Sequence, residues 1–246
     1  MFAPSVLMSA ATAVLLILFV SLGRWQWGRY EAKRPVWEAF ERGSDPAVPL
    51  GAAATTGFER FAHVRVSGRW DGARQFVLDN RSLAGRPGYE ILTPLLLADG
   101  RVLLVNRGWV PFGGYRERLP EIALPEAEGG EAGIVTLAGR LDELPSRGLE
   151  SGRAPPAMAG QWPRVTSFPQ AGELAAALGT QRLERRILLL DPSDPAPGFE
   201  RRWRPPGVAP DTHWGYAIQW WGFAVVLMVL YLGLNSKKRT LEAAGQ

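Results

Sequence analysis

The side chain with the most chemical reach in this chain is His213, in the run Asp211-Thr212-His213-Trp214-Gly215-Tyr216-Ala217-Ile218-Gln219-Trp220-Trp221. Imidazole is the commonest metal ligand among side chains. The chain holds 2 histidines and no cysteine, so competitors for such a role are few. His213 opens an uncharged stretch from Trp214 to Ser236, which puts its ring where water meets hydrocarbon. Polar groups held at membrane depth are costly to solvate and tend to mark functional sites. Two readings of the ring are open on the residues alone: a ligand to a redox cofactor, or an interfacial histidine among lipid headgroups. On a helix, Tyr216, Ala217 and Trp220 follow at i+3, i+4 and i+7 and share its face. The small Ala217 leaves room for a flat macrocycle, and Trp220 offers a ring to stack on it. An aromatic belt at the membrane interface accounts equally for Trp214, Tyr216, Trp220 and Trp221.

The elements that must position His213 are two membrane helices. Phe2–Gly23 is uncharged, like Trp214–Ser236, and each stretch matches the roughly 20 apolar residues that a spanning helix needs. The expected organisation is a first transmembrane helix over 1–23, a β-rich extramembrane domain over 24–212, a second transmembrane helix over 213–236 and a cytoplasmic tail over 237–246. A cleaved signal peptide is the rival reading of 1–23, but no charged n-region precedes it and its apolar stretch exceeds the usual h-region. Lys237-Lys238-Arg239 places the C-terminus in the cytoplasm by the positive-inside rule, and the domain then faces outward. Arg24, Arg29, Lys33 and Arg34 after the first helix argue locally for the opposite orientation; the C-terminal cluster is given more weight. In either orientation the hairpin brings Arg24, Trp25, Gln26 and Arg29 to the membrane face that carries His213. Cations there suit the carboxylates of a cofactor, although arginines also snorkel to headgroups without one.

Strand-like runs recur between turn signals at Phe61–Trp70, Gln75–Asn80, Tyr89–Leu97, Arg101–Val110, Ile134–Leu141 and Arg186–Leu190. Ala98-Asp99-Gly100 predicts an antiparallel hairpin between two of them. One short helix is expected over Gln170–Leu178, closed by Gly179. Residues 112–133 and 143–160, rich in Pro, Gly and Glu, read as surface loops, and 192–211 as an extended lead into the second helix. The fold class is therefore a mainly antiparallel β domain, barrel-like or sandwich, bracketed by two transmembrane α-helices.

The inventory of ionisable groups argues against catalysis. There is no nucleophile elbow, zinc-protease motif, phosphate loop or dinucleotide fingerprint, and two histidines cannot build a three-histidine metal site. Asp99 with Glu90, and Asp142 with Glu143, read as solvated turn charges. His63 reads as a surface histidine on the face of Arg65. The net charge of +4 rests on scattered arginine, with lysine only at Lys33, Lys237 and Lys238, so no block of like charge offers a nucleic-acid surface. Lipid is the expected surrounding of both helices.

Four motifs lie in order along the chain: Leu22-Gly23-Arg24-Trp25-Gln26 with Arg29, Pro87-Gly88-Tyr89-Glu90-Ile91-Leu92-Thr93-Pro94-Leu95, Asp99-Gly100-Arg101 through Asn106-Arg107-Gly108-Trp109-Val110-Pro111, and His213 through Trp220. Together they resemble the SURF1 family of cytochrome oxidase assembly proteins. The resemblance implies an integral membrane protein whose domain faces the periplasm in bacteria or the intermembrane space in mitochondria. It further implies haem a as cofactor, received from haem a synthase and delivered to oxidase subunit I. The family's histidine falls on His213, its iron ligand, with Tyr216, Ala217 and Trp220 completing the pattern and Arg24, Trp25, Gln26 and Arg29 nearby. Paired asparagines often precede this histidine in the family; here Asp211-Thr212 stand there. Trp162–Gln170 fits the family poorly and carries no role. An N-terminus without arginine does not look like a mitochondrial transit peptide, which favours a bacterial inner membrane. A scaffold that stabilises nascent subunit I without binding haem is the alternative, and a membrane-tethered enzyme a distant third. Arg107 and Trp109, at a strand end, are expected to serve packing or a partner contact rather than haem.

Overall fold

The computed structural model describes residues 5–43, 46–115, 118–124, 133–145, 161–194 and 199–236. Two compact units emerge, one from Met1–Glu38 with Pro205–Gln246 and the other from Ala39–Arg204.

The first unit is a pair of helices, α1 (Val6–Arg42) and a C-terminal helix (Pro210–Asn235), both long and apolar enough to cross a membrane. At 1.5 Å per residue α1 extends about 55 Å, well beyond a hydrocarbon core of about 30 Å. Its uncharged part ends at Gly23, and the charged remainder, through Arg42, continues the same helix. Aliphatic side chains such as Ile17, Val20, Val225 and Val229 are exposed, the surface a lipid-embedded helix presents. The protein is therefore a membrane protein.

Less exposed positions on α1 include Ser9, Thr12, Leu16, Phe19, Gly23, Gln26, Tyr30 and Lys33, in alternating steps of three and four, with Leu22 and Trp27 alongside. On the C-terminal helix they include His213, Ala217, Trp220, Ala224, Leu227 and Tyr231 with the same spacing, with Gly215 and Trp221 alongside. That 3.5-residue period is the seam of two helices packed side by side. Far from His213 the seam is fastened by Ser9 Oγ and Tyr231 Oη, 2.6 Å apart.

The second unit is a β domain. Its strands are β1 (Val48–Pro49), β2 (His63–Trp70), β3 (Phe76–Leu83), β4 (Arg86–Leu97), β5 (Val102–Pro111), β6 (Ile134–Glu143), β7 (Arg164–Thr166) and β8 (Arg186–Leu190), with helix α2 (Ala171–Leu178) between the last two. The C-terminal helix is thus α3. The strand order is β1-β2-β6-β8-β5-β4-β3-β7, and an added pairing of β2 with β4 closes β2, β6, β8, β5 and β4 into a barrel. Most pairings are antiparallel; β1–β2, β3–β7 and β5–β8 are parallel. The closing seam runs from Gly68 opposite Leu97 to Trp70 opposite Leu95. Only glycine fits at 68, because a Cβ there lies 2.7 Å from the Leu96 carbonyl oxygen and 2.8 Å from Leu95 Cγ.

Barrel closure explains why β5 and β8 read as continuous apolar runs. Leu103, Val105, Leu188 and Leu190 fill the interior, while Val102, Leu104, Ile187 and Leu189 face outward beneath Leu174 and Leu178 of α2. The expected hairpin joins β4 to β5, with the Leu97 N–H donating to Arg101 O and the Arg101 N–H to Asp99 Oδ1. Helix α2 begins after Gln170, which forms a capping box with Glu173, and ends at Gly179 in the left-handed conformation. The short β1 and β7 were not expected from the sequence, and β7 lies in the stretch Trp162–Gln170 that fits the motifs poorly. Most of the expected loops falls outside the described residues, at 125–132 and 146–160, as does the tail over 237–246.

Several charges taken as solvated are partnered. Asp142 accepts from Arg60 Nε at 2.7 Å, and burial holds its carboxyl above the ordinary range despite that arginine. Glu90 accepts from Asn106 Nδ2 at 2.7 Å. His63 does share the face of Arg65, but its Nε2 lies 2.7 Å from Asp191 Oδ2. Arg107 and Trp109 are buried. The Arg107 guanidinium donates to Gln75 Oε1 and to the Ile122 carbonyl and lies over the Phe199 ring, so it serves packing.

Glu184 is a polar anchor of the domain. Its Oε2 accepts the Thr55 N–H at 2.9 Å and the Thr55 hydroxyl at 2.7 Å, and its Oε1 accepts Arg101 Nη1 at 2.8 Å. Arg101 also donates to the carbonyls of Gly51 and Ala53, binding the segment after β1 to the hairpin turn. Burial acts to raise the Glu184 pKa, but the Thr55 and Arg101 donors outweigh it and hold the carboxyl below its ordinary 4.5. A depressed carboxylate stabilises the fold above its unfolded pKa and loses that contribution as pH falls through its folded value. Glu184→Gln should therefore cost about 1–3 kcal/mol near neutral pH, read as a lower Tm. The gap between the two proteins should narrow as the medium is acidified below the ordinary carboxylate range. A gap that persists undiminished in acid contradicts the assignment.

Candidate functional site

At the head of α3, Pro210 takes the first helical turn, where its missing N–H costs nothing, and Asp211 stands near the positive end of the helix dipole. His213 follows within the first turn and turns toward α1. Its Nδ1 stands 2.8 Å from Gln26 Oε1. An amide oxygen only accepts, so a bond to Oε1 calls for a proton on Nδ1, and in a neutral ring Nε2 then keeps its lone pair. That Nε2 is buried and has no hydrogen-bond partner.

The helices can hold this bond because they approach closely on the deeper side of it. Gly23, one turn before Gln26, sits against Trp221, and a Cβ at 23 would lie 2.2 Å from the Trp221 indole Nε1. Ala217, one turn after His213, has no exposed surface at all. On the other side, Lys33 Nζ donates to the Val208 carbonyl at 3.2 Å. Trp27, Tyr30, Trp214 and Trp221 form a cluster along the flank of the seam, with Trp27–Trp214 centroids 5.0 Å apart.

The residues singled out in sequence are thus separated into groups. Gln26 and His213 meet. Ala217 is buried in the helix seam, where its size serves the approach of α1. Trp220 is stacked on Phe19 of α1, centroids 5.8 Å apart, and touches Phe223. Tyr216 and Trp25 are 47% and 58% exposed. Tyr216 precedes the buried Ala217 by one residue, about 100° round the helix, so it stands on the flank and not in the seam. Arg24 and Arg29 are both exposed. Lys33 was missed in the sequence, although it lies seven residues after Gln26 and hence on the same helix face.

Chemically, the arrangement is an imidazole with one nitrogen bonded to an amide oxygen and the other, buried, without a partner. Among the described residues no group of three or more His, Asp or Glu side chains converges to hold a bare metal ion.

The sequence profile of the SURF1 family matches residues 13–225, a range that holds both Gln26 and His213. A SURF1-like protein of Dictyostelium discoideum is 29% identical over 134 residues, which are 47% of this chain and 50% of that relative. The chain thus spans about half the length of the curated relative it matches.

The closeness of the helices at Gly23 has a measurable consequence. Gly23→Ala should destabilise the detergent-solubilised protein by about 1–3 kcal/mol, because the Trp221 ring must give way. In a Trp221→Ala background the same change should cost much less, so the thermal shifts of the two single variants should not add. Additive shifts contradict the contact.

Proposed function

The chain belongs to the SURF1 family, and from that premise we propose that it is a membrane-anchored assembly factor for cytochrome oxidase, binding haem a at His213 and helping to deliver it to subunit I. In this reading haem a synthase is the donor, and the protein is a carrier without catalytic turnover. The observation that carries the reading is the His213 ring, whose buried Nε2 has no partner while Nδ1 is bonded to Gln26. Haem iron is commonly held by such an imidazole. A single neutral side chain holding the iron would suit a cargo that must be released. Arg24, Arg29 and Lys33 supply cations for the carboxylates of the macrocycle, and Trp25, Tyr216 and Trp220 supply aromatic surface.

One observation favours the second reading, a scaffold that stabilises nascent subunit I without touching haem. Trp214, Trp220 and Trp221 all pack on aromatic residues of α1 and so have a use in holding the helices together. The two readings divide on His213→Ala, expressed in cells that make haem a. The substitution should abolish the haem absorption of the purified protein while leaving its membrane insertion and amount nearly unchanged. Haem a retained with an unaltered spectrum contradicts ligation by His213 and favours the scaffold.

The proposed location is the bacterial inner membrane, with the β domain in the periplasm. Support comes from Lys237, Lys238 and Arg239, which lie outside the described residues. A reporter active only outside the cytoplasm, inserted between Glu126 and Gly130, should be active. Activity of a cytoplasm-only reporter at that place overturns the orientation.

A further inference from the structure

We infer that Gln26 is the positioning residue of the site: its side-chain oxygen fixes the His213 proton on Nδ1 and so presents Nε2 as the ligating nitrogen. The inference rests on the haem-binding reading above and adds to it how the ligand is prepared before cargo arrives. A neutral imidazole has one proton for two nitrogens, and the neighbour of one nitrogen decides the state of the other. With Gln26 Oε1 2.8 Å from Nδ1, the opposite tautomer would set two lone pairs against each other. It would also put an N–H on the buried Nε2, where no acceptor stands. Both penalties fall on the same tautomer, so the ring is held in the form that can bind metal.

Gln26 is half-buried. It occupies the helix seam between Gly23, which is closed against Trp221, and the contact of Lys33 with Val208. A neighbour of a metal ligand orients it through the hydrogen bond it makes to the ligand's other nitrogen. The choice of an amide also has chemical content. A carboxylate on Nδ1–H raises the basicity of a ligating histidine and tightens the metal. An amide oxygen orients the ring without adding charge, which leaves the bond to iron weaker and the cargo transferable. Gln26 therefore sets both which nitrogen binds and how firmly.

The test uses the full chain in lipid nanodiscs with 15N-labelled histidine, free of haem and at a pH where the rings are neutral. The signals of His213 are assigned by their loss in His213→Ala, His63 being the other histidine. Nitrogen spectra should show the His213 proton on Nδ1 in the parent and in Gln26→Glu, and shared between the nitrogens in Gln26→Leu. A parent protonated at Nε2, or a Gln26→Leu spectrum like the parent's, overturns the inference. The same three proteins purified from cells making haem a give the second readout. Gln26→Leu should retain at least about 10-fold less haem than the parent, and Gln26→Glu as much or more. Equal haem in Gln26→Leu and parent, despite an altered tautomer, also overturns it. Haem missing from all three, with the tautomer change intact, sinks the haem reading itself and reduces the Gln26 bond to a helix contact. A thermal scan of each variant separates these results from misfolding, and Gln26→Glu tests the role even if Gln26→Leu is unstable.

Discussion

The distance between α1 and α3 at Gly23 is the constraint on which the candidate site depends. The Gln26–His213 bond spans two helices, and a side-chain amide has little reach. Gly23 removes its own side chain so that Trp221 can close over the backbone, and the fully buried Ala217 does the same from α3. Small residues at such crossings are how helices approach in a bilayer, where lipid tails supply no hydrophobic drive. Aromatic rings then fill the flank, and polar pairs fasten both ends of the seam. Among the described residues of α3, His213 Nε2 is the one buried polar side-chain atom left without a partner.

The β domain solves a different problem with comparable means. Its barrel is closed by a short contact of β2 with β4 and stiffened where arginine or glutamate ties loops to strands. Glu184 and Arg101 bind the segment after β1 to the β4–β5 turn, and Arg107 binds Ile122 and Ala123 to β5. These are buried or half-buried charges whose donors and acceptors are satisfied by backbone as much as by opposite charge, which offsets the cost of burying them. The motif residues Asp99, Arg101 and Arg107 are accounted for by this role, while the motif residues Gln26 and His213 are not needed for the barrel.

Much of this was legible in the sequence where local pattern decides. Uncharged stretches marked both spanning helices, alternation and turn residues marked the six longer strands, and the hairpin topology brought Gln26 to the face of His213. Non-local facts were not legible. The choice of a barrel over a sandwich depends on β2 meeting β4, and the two-residue β1 and three-residue β7 exist only because a partner strand receives them. At the site, reading His213, Tyr216, Ala217 and Trp220 as one face of one helix left out the partner helix. The seam fixes Trp220 on Phe19 and buries Ala217, and leaves Tyr216 outside. The 3.5-residue period of the seam lies in the burial of the two helices and not in the sequence of α3, because seam-facing and lipid-facing residues there are alike apolar.

The central claim is that His213 gives its Nε2 to haem iron. It is tested most directly by pulsed electron paramagnetic resonance on the ferric, haem-loaded protein carrying 15N-histidine. Coupling of the iron spin to an imidazole 15N is expected in the parent and in His63→Gln, and none in any His213→Ala protein that still carries haem. Iron that shows no histidine nitrogen coupling in the parent protein, or keeps it without His213, contradicts the account.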